Sequence, residues 1–158
     1  MQRRDAKTRP DLSPAIRMGL IGGVITLLMC LIGIVEASTG RAVIYPFLSL
    51  GQTLLLMAYV LTCASAIRRT EAASEGGLSR LWVIASGALA GLLVSAFLAA
   101  LVIIGNWIDL RAVFIRASPE LYALLSFGLP LVPGVVARLL AGLALGALVA
   151  AAYLLPER

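Results

Sequence analysis

Leu81 to Ile108 reads LWVIASGALAGLLVSAFLAALVIIGNWI, 28 residues without a charged side chain. A helix needs about 20 apolar residues to cross a bilayer core about 30 Å thick. A soluble domain of this size has no interior that would cover such a helix on every side. Three more apolar stretches accompany it, at about 18–35, 46–67 and 135–155. The pattern predicts an all-α integral membrane protein with four transmembrane helices, the third at about 81–104.

The totals point the same way. Of 158 residues, 61% are hydrophobic and 13% charged, where an average soluble domain carries about 25% charged residues. Mean hydropathy is +1.00. The net charge of +5 invites a nucleic-acid reading, but no basic face with interleaved aromatics supports one. The basic residues stand at the ends of apolar runs, where they set topology and meet anionic lipid head groups. Membrane lipids are therefore expected partners, and nucleic acid is not.

Residues 1–17 form a basic N-terminal segment, and 18–155 a four-span membrane domain. Pro10 and Pro14 disfavour a helix before about Ser13. Ser13-Pro14 reads as a capping serine followed by a proline at the first helical position. A basic segment before an apolar run also suggests a signal peptide. The run from Met18 to Val35 is long for one, and it leads straight into another membrane segment. Glu36 is expected to end span 1, with EASTGR (36–41) as a tight polar turn. Pro46 should open span 2, and Arg68-Arg69 should stop it. Gln52 and Thr53 are polar positions inside that span. They either line a path or bond a neighbouring helix, and bonding is the simpler reading because no ionisable group stands near. Tyr59 and Thr62 read the same way.

Small residues let membrane helices approach closely. Gly19-x-x-x-Gly23, Gly87-x-x-x-Gly91 and Gly142-x-x-x-Gly146 put one such motif in each of spans 1, 3 and 4. Between spans 3 and 4 lies GNWIDLRAVFIRASPELYALLSFGLPLVPG (105–134), too apolar for a plain loop. Two short interfacial helices are expected there, at about 107–116 and 119–127. Ser118-Pro119-Glu120 starts the second with a capping serine, a first-turn proline and an acid. Neither is long enough to span. They cap the outer interface, or dip into the membrane and return. Arg138, near the start of span 4, can snorkel or pair on the same side with Glu36, Asp109 or Glu120. These four make a candidate outer-side charge cluster. Residues 156–158 are a short C-terminal tail.

The N-terminus, the 68–80 loop and the C-terminus hold nine of 13 basic residues. The positive-inside rule then places both termini in the cytoplasm. The sequence has no histidine, which removes the commonest metal ligand and general base. Lys7 is its one lysine. No catalytic, cofactor-binding or metal residue is predicted, and the chain is not expected to be an enzyme. Spans 1–3 carry no ionisable residue in their interiors, which argues against a pump or a self-sufficient transporter. Apolar grooves between helices leave room for bound lipid, carotenoid or quinone. Cys30 and Cys63 lie at different depths and read as small buried hydrophobes rather than a disulfide.

The segment LRAVFIRASPELYALLSFG (110–128) carries a resemblance, together with GLIGGV (19–24), GIVE (33–36) and LSLGQTLL (48–55). The chain resembles the membrane-embedded N-terminal extension of some bacterial branched-chain amino acid ABC transporter permeases, of the kind found in filamentous phototrophic Chloroflexi. The resemblance implies a bacterial inner-membrane location and a non-catalytic module that packs against a permease core. The sequence stops at Arg158, before any such core, so no substrate residues carry over. The alternative is a small accessory subunit of a respiratory or photosynthetic membrane complex. Such a subunit would fill a gap and contact lipid, quinone or pigment.

Overall fold

The structure, a computed structural model, describes residues 11–39, 42–44, 48–74, 79–107 and 119–155. Its elements are α1 (Ser13–Leu31), α2 (Ile34–Thr39), β1 (Ala42–Ile44), β2 (Leu48–Ser49), α3 (Leu50–Ala72), α4 (Arg80–Trp107), α5 (Pro119–Ser126) and α6 (Leu131–Tyr153). The helices α1, α3, α4 and α6 are long and apolar enough to cross a membrane. This is an all-α membrane fold, interrupted by one short β-ribbon.

The first span differs from the expected 18–35 at both ends. Helix α1 begins at Ser13, and its cap position is Leu12, without a side-chain cap. Ser13 does not cap. Its N–H instead donates to Asp11 Oδ1 at 2.9 Å. Helix α1 closes at Leu31 because Gly33 takes a φ of +83°, a left-handed conformation that glycine adopts without penalty. The chain then restarts as α2, with Glu36 inside it. Glu36 therefore does not end the span, and residues 36–39 are helical rather than a turn. Apolarity runs on through Gly33, so hydropathy alone does not register the break.

Between α2 and α3 the antiparallel ribbon pairs Ala42 with Ser49 and Ile44 with Leu48. Pro46 lies outside the described residues, and α3 starts only at Leu50. That helix also runs past Arg68 and Arg69 to Ala72. Charged residues end a hydrocarbon-embedded stretch without ending the helix that carries them.

Successive spans run in alternating directions, with α4 central. Helices α1, α3 and α6 all pack on α4, and α3 also touches α1 and α6. Towards one end, Cys30, Leu55, Tyr59, Val94 and Leu98 form a buried cluster. Towards the other, Ile67, Val83 and Ala150 do so. Trp82 and Trp107 are exposed near the two ends of α4, as interface aromatics commonly are. The short helix α5 buries Leu121 and Leu125 in the first cluster. A Cβ on Gly105 of α4 would run into the Tyr122 ring, so α5 sits on the last turns of α4 where that glycine admits it. The other expected interfacial helix, 107–116, lies outside the described residues beyond Trp107, which closes α4.

The corner from α5 to α6 has an unusual residue. Gly128 N–H donates to Ala123 O at 2.8 Å, the bond of a helix end that turns through a left-handed position. Phe127 occupies that position at φ +58°, and Gly128 follows at φ +70°. A side chain there costs on the order of 1 kcal/mol. The conformation brings the Phe127 ring over α6.

Cys30 and Cys63 are both free and buried, each on a different cluster. Intact protein in mild detergent should therefore take up no maleimide, and SDS should expose both thiols. Labelling of the native protein at either position would mean that α1 or α3 is rotated from the packing described.

Candidate functional site

The three glycine motifs all face α4 or lie on it. Gly87 and Gly91 oppose Gly146 and Gly142 across the α4–α6 interface. A Cβ on Gly87 would sit 2.6 Å from Gly146 O, and one on Gly91 would run into Gly142 O. Both obstacles are backbone. In α1, a Cβ on Gly19 would lie 2.8 Å from Leu93 Cδ1, and one on Gly23 would meet the Phe97 ring. Gly22, which sequence reasoning passed over, faces Thr62 of α3.

Most of the buried serine and threonine hydroxyls inside the spans are satisfied by their own helix. Thr26 donates to Gly22 O at 2.7 Å, Thr62 to Ala58 O at 2.7 Å and Thr70 to Ala66 O at 2.8 Å. The expected interhelical role of Thr62 is thus corrected. Tyr59 does bond across helices: its hydroxyl lies 2.7 Å from Ser95 Oγ of α4. Interhelical hydrogen bonds in membranes average about 0.6 kcal/mol. Tyr59→Phe should therefore lower stability by about that amount. A double-mutant cycle with Ser95→Ala should return a coupling of similar size, and no coupling would remove this bond from the packing.

Arg138 is where the structure departs furthest from expectation. It does not snorkel. Its helix face carries Gly134, Arg138, Gly142, Gly146 and Ala150, all buried, so the α4–α6 packing stripe draws Arg138 inward. It is 9% exposed, about two turns into α6. The guanidinium carbon lies 5.6 Å from the ring centres of both Tyr59 and Phe127. Arg138 Nε is buried without a hydrogen-bond partner. Among the described residues the carboxylates are Asp11 and Glu71, both at the opposite end of the bundle. Glu71 there accepts from the Tyr153 hydroxyl at 2.8 Å. The side chains of Glu36 and Glu120, and all of Asp109, lie outside the described residues, so the outer-side cluster reduces here to Arg138 and its aromatic neighbours.

Beside these rings, between α3 and α6, lies a cavity of about 470 Å³. Gln52, Tyr59, Phe127 and Arg138 line it with Leu145 and Leu148. Gln52 thus reaches a groove, and neither it nor Thr53 is free of other interactions. The polar and cationic groups collect near α5, and leucines continue down α6. A single cation–π contact supplies about 0.5–2 kcal/mol. The effective penalty for burying an unpaired ion is several kcal/mol. Among the described residues, two ring faces and the Tyr59 hydroxyl are what meet Arg138, and they leave part of its charge uncompensated. Among the described residues no cluster of histidine, cysteine or acid could hold a metal ion.

Comparison of the chain with family models, with curated proteins and with solved structures finds no match in any of the three. What the fold and site define is a class. This is a polytopic α-helical membrane protein with an arginine set into a groove between two spans.

Proposed function

We propose that the chain is a non-catalytic accessory module of a bacterial inner-membrane assembly, with both termini cytoplasmic, acting by helix packing against a larger integral membrane partner. The observation that carries this reading is the one-sided packing of α6. Its glycine stripe is spent on α4, and only 22% of its membrane-spanning window is buried. Val132, Val136, Leu140 and Leu143 remain exposed on it. A photo-crosslinker at Leu140 should capture one integral membrane protein reproducibly, and the same probe at Leu20 of α1 should not. A chain that migrates alone in native gels after gentle extraction, with no Leu140 crosslink, overturns the proposal. In the narrower form, the captured partner is a branched-chain amino acid permease core accompanied by its ATPase.

The groove favours the second reading, an accessory subunit of a respiratory or photosynthetic complex that holds lipid, quinone or pigment between its helices. Capture of pigment-bearing or quinone-linked subunits at Leu140 would select it.

A further inference from the structure

We propose that the groove between α3 and α6 is a binding site for an anionic phospholipid of the surrounding bilayer, with its phosphate at Arg138 and one acyl chain along α6. This inference stands on the groove alone and holds with or without a larger partner.

The cation comes first. Arg138 is nine-tenths buried, lines the cavity and has a buried Nε without a partner. Ionisable residues inside membrane spans are costly and usually mark a function. Two aromatic faces hold the guanidinium in place, each at 5.6 Å, and they leave its net charge intact. The planar fork of arginine matches phosphate oxygens in pairs. Polarity then falls along the groove. Gln52, Tyr59 and Arg138 stand among leucines at the α5 end, and beyond Arg138 the α6 lining, with Ala141, Leu145 and Leu148, carries no polar side chain. From Arg138 to Leu148 is about 15 Å at 1.5 Å per residue. A charged head above an apolar tail fits that gradient, and a uniformly apolar pigment does not.

Size and opening identify the source. A cavity of about 470 Å³ lies within the range of about 300–1,000 Å³ typical of small-ligand pockets, too little for a whole two-tailed lipid. The groove opens onto exposed apolar surface along α6, where its lining residue Leu148 is 65% exposed. A second acyl chain can therefore stay in the bilayer while the first lies in the groove. A bilayer phospholipid enters such a lateral opening without leaving the membrane.

The test uses the full chain, purified and delipidated in a neutral maltoside detergent. Thermal unfolding is followed on addition of phosphatidylglycerol, phosphatidylcholine, palmitate or a menaquinone. Phosphatidylglycerol should raise the melting temperature by several degrees and phosphatidylcholine should not. Arg138→Gln should weaken phosphatidylglycerol binding about tenfold or more, since a buried charge pair loses its partner. Leu145→Trp, which fills the groove and keeps the charge, should abolish the same shift, and it decides the matter should Arg138→Gln not fold. Equal shifts from the two phospholipids, or an undiminished phosphatidylglycerol shift in both variants, overturn the proposal. A shift from palmitate that matches phosphatidylglycerol overturns the phospholipid as ligand, and a shift from menaquinone alone overturns the anionic head.

Discussion

Gly91→Ala should cost the protein about 1–2 kcal/mol, although the same change in an isolated helix would stabilise it. Two effects of opposite sign compete at this position. Replacing a mid-helix glycine with alanine gains about 0.5–1 kcal/mol through backbone entropy and propensity. Inserting a methyl group into a filled interface costs about 1–3 kcal/mol. At Gly91 the new Cβ runs into the carbonyl oxygen of Gly142, with Gly146 Cα 3.1 Å away. Neither can rotate aside, so the whole of α6 must move. The loss then exceeds the gain. Gly19→Ala provides the contrast. Its one obstacle under 3.0 Å is Leu93 Cδ1 at 2.8 Å, the end of a flexible side chain; Leu93 Cβ at 3.0 Å and Ala90 Cα at 3.2 Å need give only a few tenths of an ångström, and its stability should stay within about 1 kcal/mol of wild type. Joint replacement of Gly87 and Gly91 by leucine should prevent α4 and α6 from docking at all. Unfolding in mixed SDS micelles measures each of these. Equal effects at Gly91 and Gly19 would mean that backbone contact between α4 and α6 is not what fixes that interface.

These glycines also show what the sequence makes legible and what it does not. Their four-residue spacing states that a helix face is small enough for close approach. It does not state which helix arrives. Spans 3 and 4 meet glycine to glycine, whereas span 1 presents its glycines to leucine and phenylalanine on α4. Span lengths followed from apolar runs, yet the break at Gly33 and the β-ribbon did not, because both are backbone events inside or beside apolar sequence. Arg138 is the instructive case. Its distance from the end of the apolar run suggested snorkelling. Its position four residues before Gly142 put it on the packing face instead. Helix phase outweighs proximity to the end here, since the glycine stripe fixes the rotation of α6. Phase was readable from the sequence. Tyr59 and Phe127 as partners were not, because one lies on another span and the other reaches Arg138 through a left-handed turn that no residue preference announces.

Arg138→Met should stabilise the delipidated protein in neutral detergent by about 1–3 kcal/mol. Methionine is apolar, flexible and able to fill an irregular space. It removes a buried charge whose effective desolvation penalty is several kcal/mol. It forfeits two cation–π contacts, each about 0.5–2 kcal/mol, with Tyr59 and Phe127. The first term is larger, so the sign is a gain, visible as a higher melting temperature. A residue that weakens the empty protein is one that a bound group must compensate. Adding phosphatidylglycerol should therefore narrow or reverse the gap, because only the wild-type chain has a cation to offer it. The opposite sign has a definite meaning. Removing one member of a buried ion pair costs about 3–5 kcal/mol. A loss of that size would show that an acid of this chain, Glu36, Asp109 or Glu120, already neutralises Arg138. The groove would then be an internal charge pair with apolar walls, and the phosphate would have no place in it.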